Sequence, residues 1–125
     1  MQFQKVTANL MVSDIDASTK FYVDVLELER QITVPEQPPF VFVAVGTGEV
    51  EIFLNKDESG DKAKPGGISL YVELAGLDQL LSHVQQRKVK IEIPIHETFY
   101  GMREFAVLDP DGYLVIFAEK IAKAT

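Results

Sequence analysis

Few side chains in this sequence can do chemistry. There are two histidines, His83 and His96, and two glutamates, Glu51 and Glu104, that stand within apolar strand patterns. The chain has no cysteine, which excludes thiolate metal sites, disulfides and a cysteine nucleophile. No histidine pairs plausibly with a serine, because these serines fall at caps, in loops or on a helix surface: Ser13, Ser18, Ser59 and Ser82. Proton transfer by a carboxylate is the metal-free chemistry that remains.

The two glutamates admit two interpretations. If Glu51 and Glu104 face inward, each buried carboxylate needs a partner, which Arg103, Arg30 or a cationic group on a ligand would supply. If they lie at an edge, they point to solvent. His83 is expected on the solvent side of a helix, and His96 in a surface loop.

A loop over Glu97–Met102 places Phe99 and Tyr100 beside Gly101. Exposed aromatic rings in such a loop suit stacking on a planar ligand, and they equally suit closing the edge of a core. We favour ligand contact, because loops held by a rigid scaffold tend to carry binding residues.

Two stretches of the chain repeat one order of elements. In the first, Gln4–Val12 alternates as a strand, with Val6 on its core face, and Ser13-Asp14 begins an amphipathic helix of about three turns. Three strands follow: Arg30–Val34, Phe40–Val45 and Val50–Asn55. The polar segment 58–65 is the best candidate for a linker.

The pattern then restarts with strand Gly67–Glu73 and helix Leu77–Arg87. Three more strands follow, the last two joined by a Pro110-Asp111-Gly112 turn: Val89–Ile95, Arg103–Asp109 and Tyr113–Glu119. Leu10 and Leu70 are sixty positions apart, as are Val12 and Val72, and Phe21 and Leu81. The shared offset indicates a duplicated unit.

The sequence therefore predicts a single α+β domain of two βαβββ units, 1–57 and 66–121, that form a curved mixed sheet around a cleft. Residues on the strand faces opposite the helices, together with the aromatic loop, should line that cleft. The candidate ligand-binding residues are Thr7, Asn9, Met11, Glu51, Phe53, Tyr71, Phe99, Tyr100, Arg103, Glu104 and Ile116.

Two segments resemble a known superfamily. LMVSDIDASTKFYVDVLELE resembles the first strand and helix of the vicinal-oxygen-chelate proteins, which include glyoxalase I, extradiol dioxygenases and bleomycin-binding proteins. YGMREFAVLDPDGYLVIFAE resembles their last hairpin, in a form close to the bleomycin-resistance branch. The resemblance covers nearly the whole chain, and it implies the duplicated fold.

The resemblance also implies where a divalent metal would be held in catalytic members. The ligand positions of that family fall here on Thr7, Glu51, Gly67 and Ile116. Only Glu51 offers a metal ligand of the usual kind, since glycine has no side chain and isoleucine no lone pair. We therefore expect no metal site of the family type and no cofactor.

The composition restricts the partners. The formal charge of −7 disfavours nucleic acid, and it suits either simple solubility or a cationic ligand. No apolar segment approaches the length of a membrane span, and no signal peptide is apparent, so we expect a cytoplasmic protein. Open sheet edges favour a homodimer, and the resemblance implies one as well, because members of that family usually pair as dimers.

Two functions stay open. The first is a metal-free protein that binds a small molecule, for example by sequestering a planar or cationic antibiotic-like compound. The alternative is a lyase, isomerase or dioxygenase of the same superfamily that acts on a small substrate in the cleft. The catalytic residues of the alternative are unknown from sequence.

Overall fold

The computed structural model describes residues 1–2, 4–57 and 68–122. The predicted linker over 58–65 and Gly67 therefore lie outside the described residues. The chain divides into two compact units, Met1–Lys64 and Pro65–Thr125. Each contains one four-stranded mixed sheet and one helix, in the order β-α-β-β-β. The predicted α+β fold with two βαβββ units is confirmed.

The first unit contains a sheet of order β1-β4-β3-β2. β1 runs parallel to β4, and the other pairs are antiparallel. The strands are β1 Ala8–Val12, β2 Glu29–Val34, β3 Phe42–Thr47 and β4 Val50–Lys56. Leu10, Val12, Val43, Ile52 and Leu54 are buried on one face, which packs against the helix.

β1 is shorter than predicted. The strand begins at Ala8 instead of Gln4, and Val6, expected on the core face, is 95% exposed. The alternation of apolar residues over Gln4–Val12 is real, but the pairing of β1 with β4 begins only at Ala8↔Ile52. The alternation of apolar residues therefore begins before the part of β1 that pairs with β4, so alternation alone does not locate the start of the strand.

The helix of the first unit is α-helical over Ile15–Lys20 (α1) and continues as a π-helical segment over Phe21–Val25. Asp14 caps it, since its side chain accepts hydrogen bonds from the backbone N–H groups of Asp16 and Ala17. Tyr22 is fully buried. The predicted helix is present, and the π-helical turn within it was not foreseen.

The second unit repeats the arrangement with order β5-β8-β7-β6. Its helix α2 spans Leu77–Gln86, and its strands are β5 Ser69–Glu73, β6 Ile91–Glu97, β7 Met102–Leu108 and β8 Leu114–Lys120. Leu77 and Val84 of α2 are fully buried, as are Phe105 and Val107 of β7. This set forms the core on the helix-covered face of the sheet.

The Pro110-Asp111-Gly112 turn joins β7 to β8 as predicted. Asp109 fixes it, because its Oδ1 accepts hydrogen bonds from the N–H groups of Asp111 and Tyr113, each over 2.9 Å. Gly112 takes a positive φ of 89°, which suits glycine best. The turn sets the antiparallel register in which Glu104 lies opposite Ala118 and Phe105 opposite Phe117.

Candidate functional site

The open face of the second sheet, opposite α2, carries a buried carboxylate. Glu104 in β7 is 6% exposed. Alternation along β7 separates it from Phe105, which points into the helix-covered core, and places it with Ala106. Ala118 of β8 and His96 of β6 stand directly opposite Glu104 in the neighbouring strands. Glu104 thus lies between two neighbouring strands and away from the sheet edges.

Two phenols hold this carboxylate. Tyr71 of β5 and Tyr100 each donate a hydrogen bond to Oε2 of Glu104, both over 2.5 Å. Bonds of this length are typical of a hydroxyl donating to an ionised oxygen. Glu104 therefore has a neutral hydrogen-bonding shell, and no arginine or lysine side chain in the described part of the chain forms an ion pair with it.

A tight turn brings Tyr100 to Glu104. Thr98–Gly101 connects β6 to β7, closed by the N–H of Gly101 on the carbonyl of Thr98 at 3.3 Å and by the N–H of Met102 on Oγ1 of Thr98 at 3.0 Å. Gly101 has a φ of 87°. Phe99 at the tip is fully exposed, and its ring meets that of Tyr100 edge-on with centroids 5.1 Å apart. The turn thus presents two aromatic rings beside the carboxylate.

The Glu104 hydrogen bonds raise the pKa of both phenols. For Tyr71 and for Tyr100 the hydrogen bond to the carboxylate is the largest cause, followed by desolvation and by repulsion between the two negative charges that ionisation would create. Both hydroxyls consequently remain protonated donors at neutral pH. Within this cluster the Glu104 carboxylate and His96 can act as bases towards a ligand, whereas each phenol would first have to lose its own proton.

We expect Tyr71 and Tyr100 to ionise later than a free phenol in a spectrophotometric titration. Glu104→Gln should bring both towards the usual value near 10, because a neutral amide no longer favours the protonated phenol. The raised folded-state pKa also means that these hydrogen bonds contribute to stability below about pH 10 and lose that contribution as the phenols ionise above it. A Glu104→Gln titration curve identical to that of the wild type would contradict the assignment.

The first unit brings together a different pair of predicted residues. Oγ1 of Thr7 donates to Oε1 of Glu51 over 2.8 Å, and Nζ of Lys5 lies 2.8 Å from the same oxygen. The contact with Lys5 is the main reason that the pKa of Glu51 is lowered, with Thr7 second. The charge of Glu51 is thus paired with an ammonium group, whereas the charge of Glu104 is met by phenol hydroxyls.

The remaining predicted residues of the first unit share the open face of its sheet. The side-chain amide of Asn55 donates to that of Asn9, and Met11 is half-exposed. The Phe53 ring contacts that of Phe42 edge-on, with centroids 5.1 Å apart. In the second unit, Ile116 lies opposite Tyr71 and Ala106.

Three sequence predictions need correction. Arg103 does not face the ligand side: it lies on the other face of β7 and forms a two-point ion pair with Asp78 of α2, at 3.1 and 3.3 Å. The guanidinium of Arg30 stands 5.8 Å from the centre of the Phe40 ring, and among the described residues no ion pair joins Arg30 to Glu51 or Glu104. His83 is partly buried in α2 instead of facing solvent.

His96 is a fourth residue for which the sequence prediction needs correction. It was expected in a surface loop, but it belongs to β6, opposite Glu104, with its Nε2 3.8 Å from Oε1 of that carboxylate. The register of the β6–β7 hairpin around the Thr98–Gly101 turn would have placed His96 opposite Glu104. Irregularities in β6 between Ile91 and His96 hide that register from a simple count of alternating residues.

The described residues at the metal-ligand positions that the family resemblance implies do not fit a divalent metal. Ile116 has no lone pair, the Thr7 hydroxyl donates to Glu51, and the Glu51 carboxylate is already paired with Lys5. Across the described ranges, no three His, Asp or Glu residues are grouped as metal ligands. The described residues also include no helix long and apolar enough to cross a membrane.

Comparison with known proteins identifies the family. The sequence model of the Glyoxalase/Bleomycin resistance protein/Dioxygenase superfamily matches residues 4–117. The chain belongs to this superfamily. The resemblance of the first and last segments to this superfamily is thereby confirmed, and it extends over nearly the whole chain. No curated protein matches the sequence.

Solved structures share the fold. TioX from Micromonospora sp. ML1 superimposes with a TM-score of 0.78 at 16% identity, covering 95% of this chain and 100% of that one. A superfamily member from Sphaerobacter thermophilus gives 0.76 at 22%, with 95% and 98% covered. Lactoylglutathione lyase from Agrobacterium tumefaciens gives 0.69 at 20%, with 93% and 92% covered. At these identities the likeness extends to the fold alone.

Proposed function

We propose that this protein is a metal-free small-molecule-binding member of the superfamily and that it binds a planar, cationic compound at the open face of its second unit. The observation that carries the proposal is the Glu104 carboxylate, buried on a sheet face and held by two neutral phenols. Burying a charge without a counter-charge is costly. A cationic ligand would supply that counter-charge.

The surroundings of Glu104 support a planar ligand. Tyr71 is 49% exposed, Tyr100 54% and Phe99 fully, so three aromatic rings are open to solvent near one carboxylate. Ile93, on the same face of β6, is also exposed. Aromatic faces attract cations as well as flat apolar rings. Apolar side chains around a few polar groups are typical of a small-molecule site.

Calorimetric titration with bleomycin, which carries a planar aromatic group and a cationic group, tests the proposal. We expect saturable heat at micromolar ligand, together with a rise in the unfolding temperature, since a ligand that binds only the native state stabilises it. The protein should be purified without chelator and analysed for metal in parallel. Absence of heat and of a thermal shift at high micromolar bleomycin would remove the antibiotic version of the proposal.

A second candidate is a metal-free isomerase or lyase, favoured by the same two phenols. The hydroxyls of Tyr71 and Tyr100 hold the Glu104 carboxylate in position, and Glu104 is placed to accept a proton from a substrate. Proton NMR of the ligand after prolonged incubation separates the two candidates, because a binding protein returns its ligand unchanged whereas an isomerase or a lyase alters its bonding. Assembly as a homodimer and a cytoplasmic location stay predictions.

A further inference from the structure

The orientation of the His96 ring is fixed by one hydrogen bond. Its Nδ1 lies 2.9 Å from the carbonyl oxygen of Pro94. A carbonyl oxygen can only accept, so Nδ1 is the donor and carries the ring proton. In the neutral ring Nε2 then has a lone pair and no hydrogen. His96 is therefore a hydrogen-bond acceptor on the side that faces Glu104.

Nε2 of His96 and Oε1 of Glu104 are consequently two acceptors set side by side. They are 3.8 Å apart, beyond hydrogen-bond length, and neither can satisfy the other while the ring is neutral. The other carboxylate oxygen, Oε2, is already occupied by Tyr71 and Tyr100. Within the described ranges no side chain donates a hydrogen bond to Oε1. The pair is an acceptor site that lacks donors.

We propose that this acceptor pair binds a cationic group with two N–H donors, such as a primary ammonium, an amidinium or a guanidinium, and that protonation of His96 closes the site. The proposal rests on the proposed function and specifies the class of its ligand. Two N–H groups on one nitrogen or one amidinium can reach two acceptors 3.8 Å apart, and the ligand charge compensates Glu104. A quaternary ammonium supplies the charge without the hydrogens.

Protonation of His96 removes the acceptor and supplies a competing donor. The imidazolium Nε2–H can donate to Oε1 of Glu104, and its positive charge then takes the place of the ligand charge. Ligand binding should therefore weaken as His96 becomes protonated. The other titratable groups on this face of the neighbouring strands and turn are Glu104 in β7, Lys120 in β8, Tyr71 and Glu73 in β5, and Tyr100.

Two matched cations test the donor requirement. Benzamidine and benzyltrimethylammonium each carry one aromatic ring and one positive charge, but only benzamidine has N–H donors. At pH 7.5 we expect benzamidine to bind at least about tenfold more tightly, which corresponds to the loss of one charge-assisted hydrogen bond. NMR-monitored titration of the full chain measures both affinities. Equal affinities would overturn this inference and leave the proposed function standing, whereas failure of both cations to bind would overturn the two together.

The pH dependence tests the role of His96. Between pH 7.5 and 5.5 benzamidine affinity should fall about tenfold in the wild type and in His83→Gln, which removes the only other histidine, and stay nearly constant in His96→Gln. A fall that persists in His96→Gln would assign the proton to another group. Should that variant not fold, the His96 ring resonances of the wild type decide: benzamidine must move their titration midpoint to lower pH, and an unchanged midpoint contradicts the proposal.

Discussion

Glu104→Gln is expected to weaken bleomycin binding about 10- to 100-fold while the fold stays intact. The physical reason is the loss of a charge-assisted contact, which is worth about 1.5–3 kcal/mol where the partner is ionised. The amide oxygen of glutamine can still accept hydrogen bonds from Tyr71 and Tyr100, so the turn that carries the aromatic rings should keep its position. Calorimetry measures the affinity, and circular dichroism checks the fold.

A matched control separates the site from the general negative charge of the chain. Glu36→Gln removes one negative charge at an exposed position in the loop after β2. If long-range attraction to the acidic chain drives binding, both variants should lose affinity by similar small amounts, and the loss should vanish at high salt. A specific site predicts wild-type affinity for Glu36→Gln. Equal affinities in Glu104→Gln and wild type would refute the assignment of the site.

Phe105→Ala is expected to destabilise the fold strongly. Phe105 has no solvent exposure, and its ring lies 5.3 Å from that of Phe117, its cross-strand partner. Truncation removes buried apolar surface and leaves a cavity, which together cost about 3–5 kcal/mol. Thermal unfolding should show the midpoint lowered by roughly 10–20 °C.

Phe99→Ala is the matched control for this substitution. It makes the same chemical change in the same unit, six residues away, at a ring that is fully exposed. Its effect on the free energy of unfolding should lie within about 0.5 kcal/mol. Bleomycin affinity should show the reverse order, with a measurable loss in Phe99→Ala. A stability loss in Phe99→Ala comparable to that of Phe105→Ala would mean that this ring closes the core instead of contacting ligand.

The fold could be predicted because its signals are local and repeated. Alternation in the strands, the Asp14 cap and the Pro110-Asp111-Gly112 turn each act over a few residues, and the structure shows all three. The repeat also holds, but not at one fixed offset. In the structure β1 and β5 begin sixty-one positions apart, at Ala8 and Ser69, whereas α1 and α2 begin sixty-two positions apart, at Ile15 and Leu77.

The π-helical segment explains how the offset changes again. From Ile15 to Glu27 is twelve positions, and from Leu77 to Lys88 is eleven, although Glu27 and Lys88 share a left-handed backbone with φ of 61° just past their helices. A π-turn accommodates one extra residue within a helix. The extra residue in the first unit is thus absorbed at Phe21–Val25 without displacing the helix end. A sequence alignment at constant offset cannot show this.

The site was harder to predict than the fold, because its members meet through strand pairing. Sequence patterns single out Tyr71, Tyr100 and Glu104 one by one as inward-facing or loop residues, but the hydrogen bonds among them depend on the register of β5, β8 and β7. Irregular pairing concealed His96. Arg103 was misplaced by a single step of alternation, which reverses the face of a strand residue. Long-range register is the information that the sequence lacks.

The salt bridge of Lys5 with Glu51 bears on stoichiometry. A duplicated fold offers two similar sheet faces, and a carboxylate on each would suggest two ligands per polypeptide. The negative charge of Glu51 is, however, already matched by an ammonium group of its own unit, 2.8 Å away. Glu104 has hydrogen bonds from phenols in place of a counter-ion. The chain should therefore behave as a monovalent receptor that saturates at one equivalent of ligand.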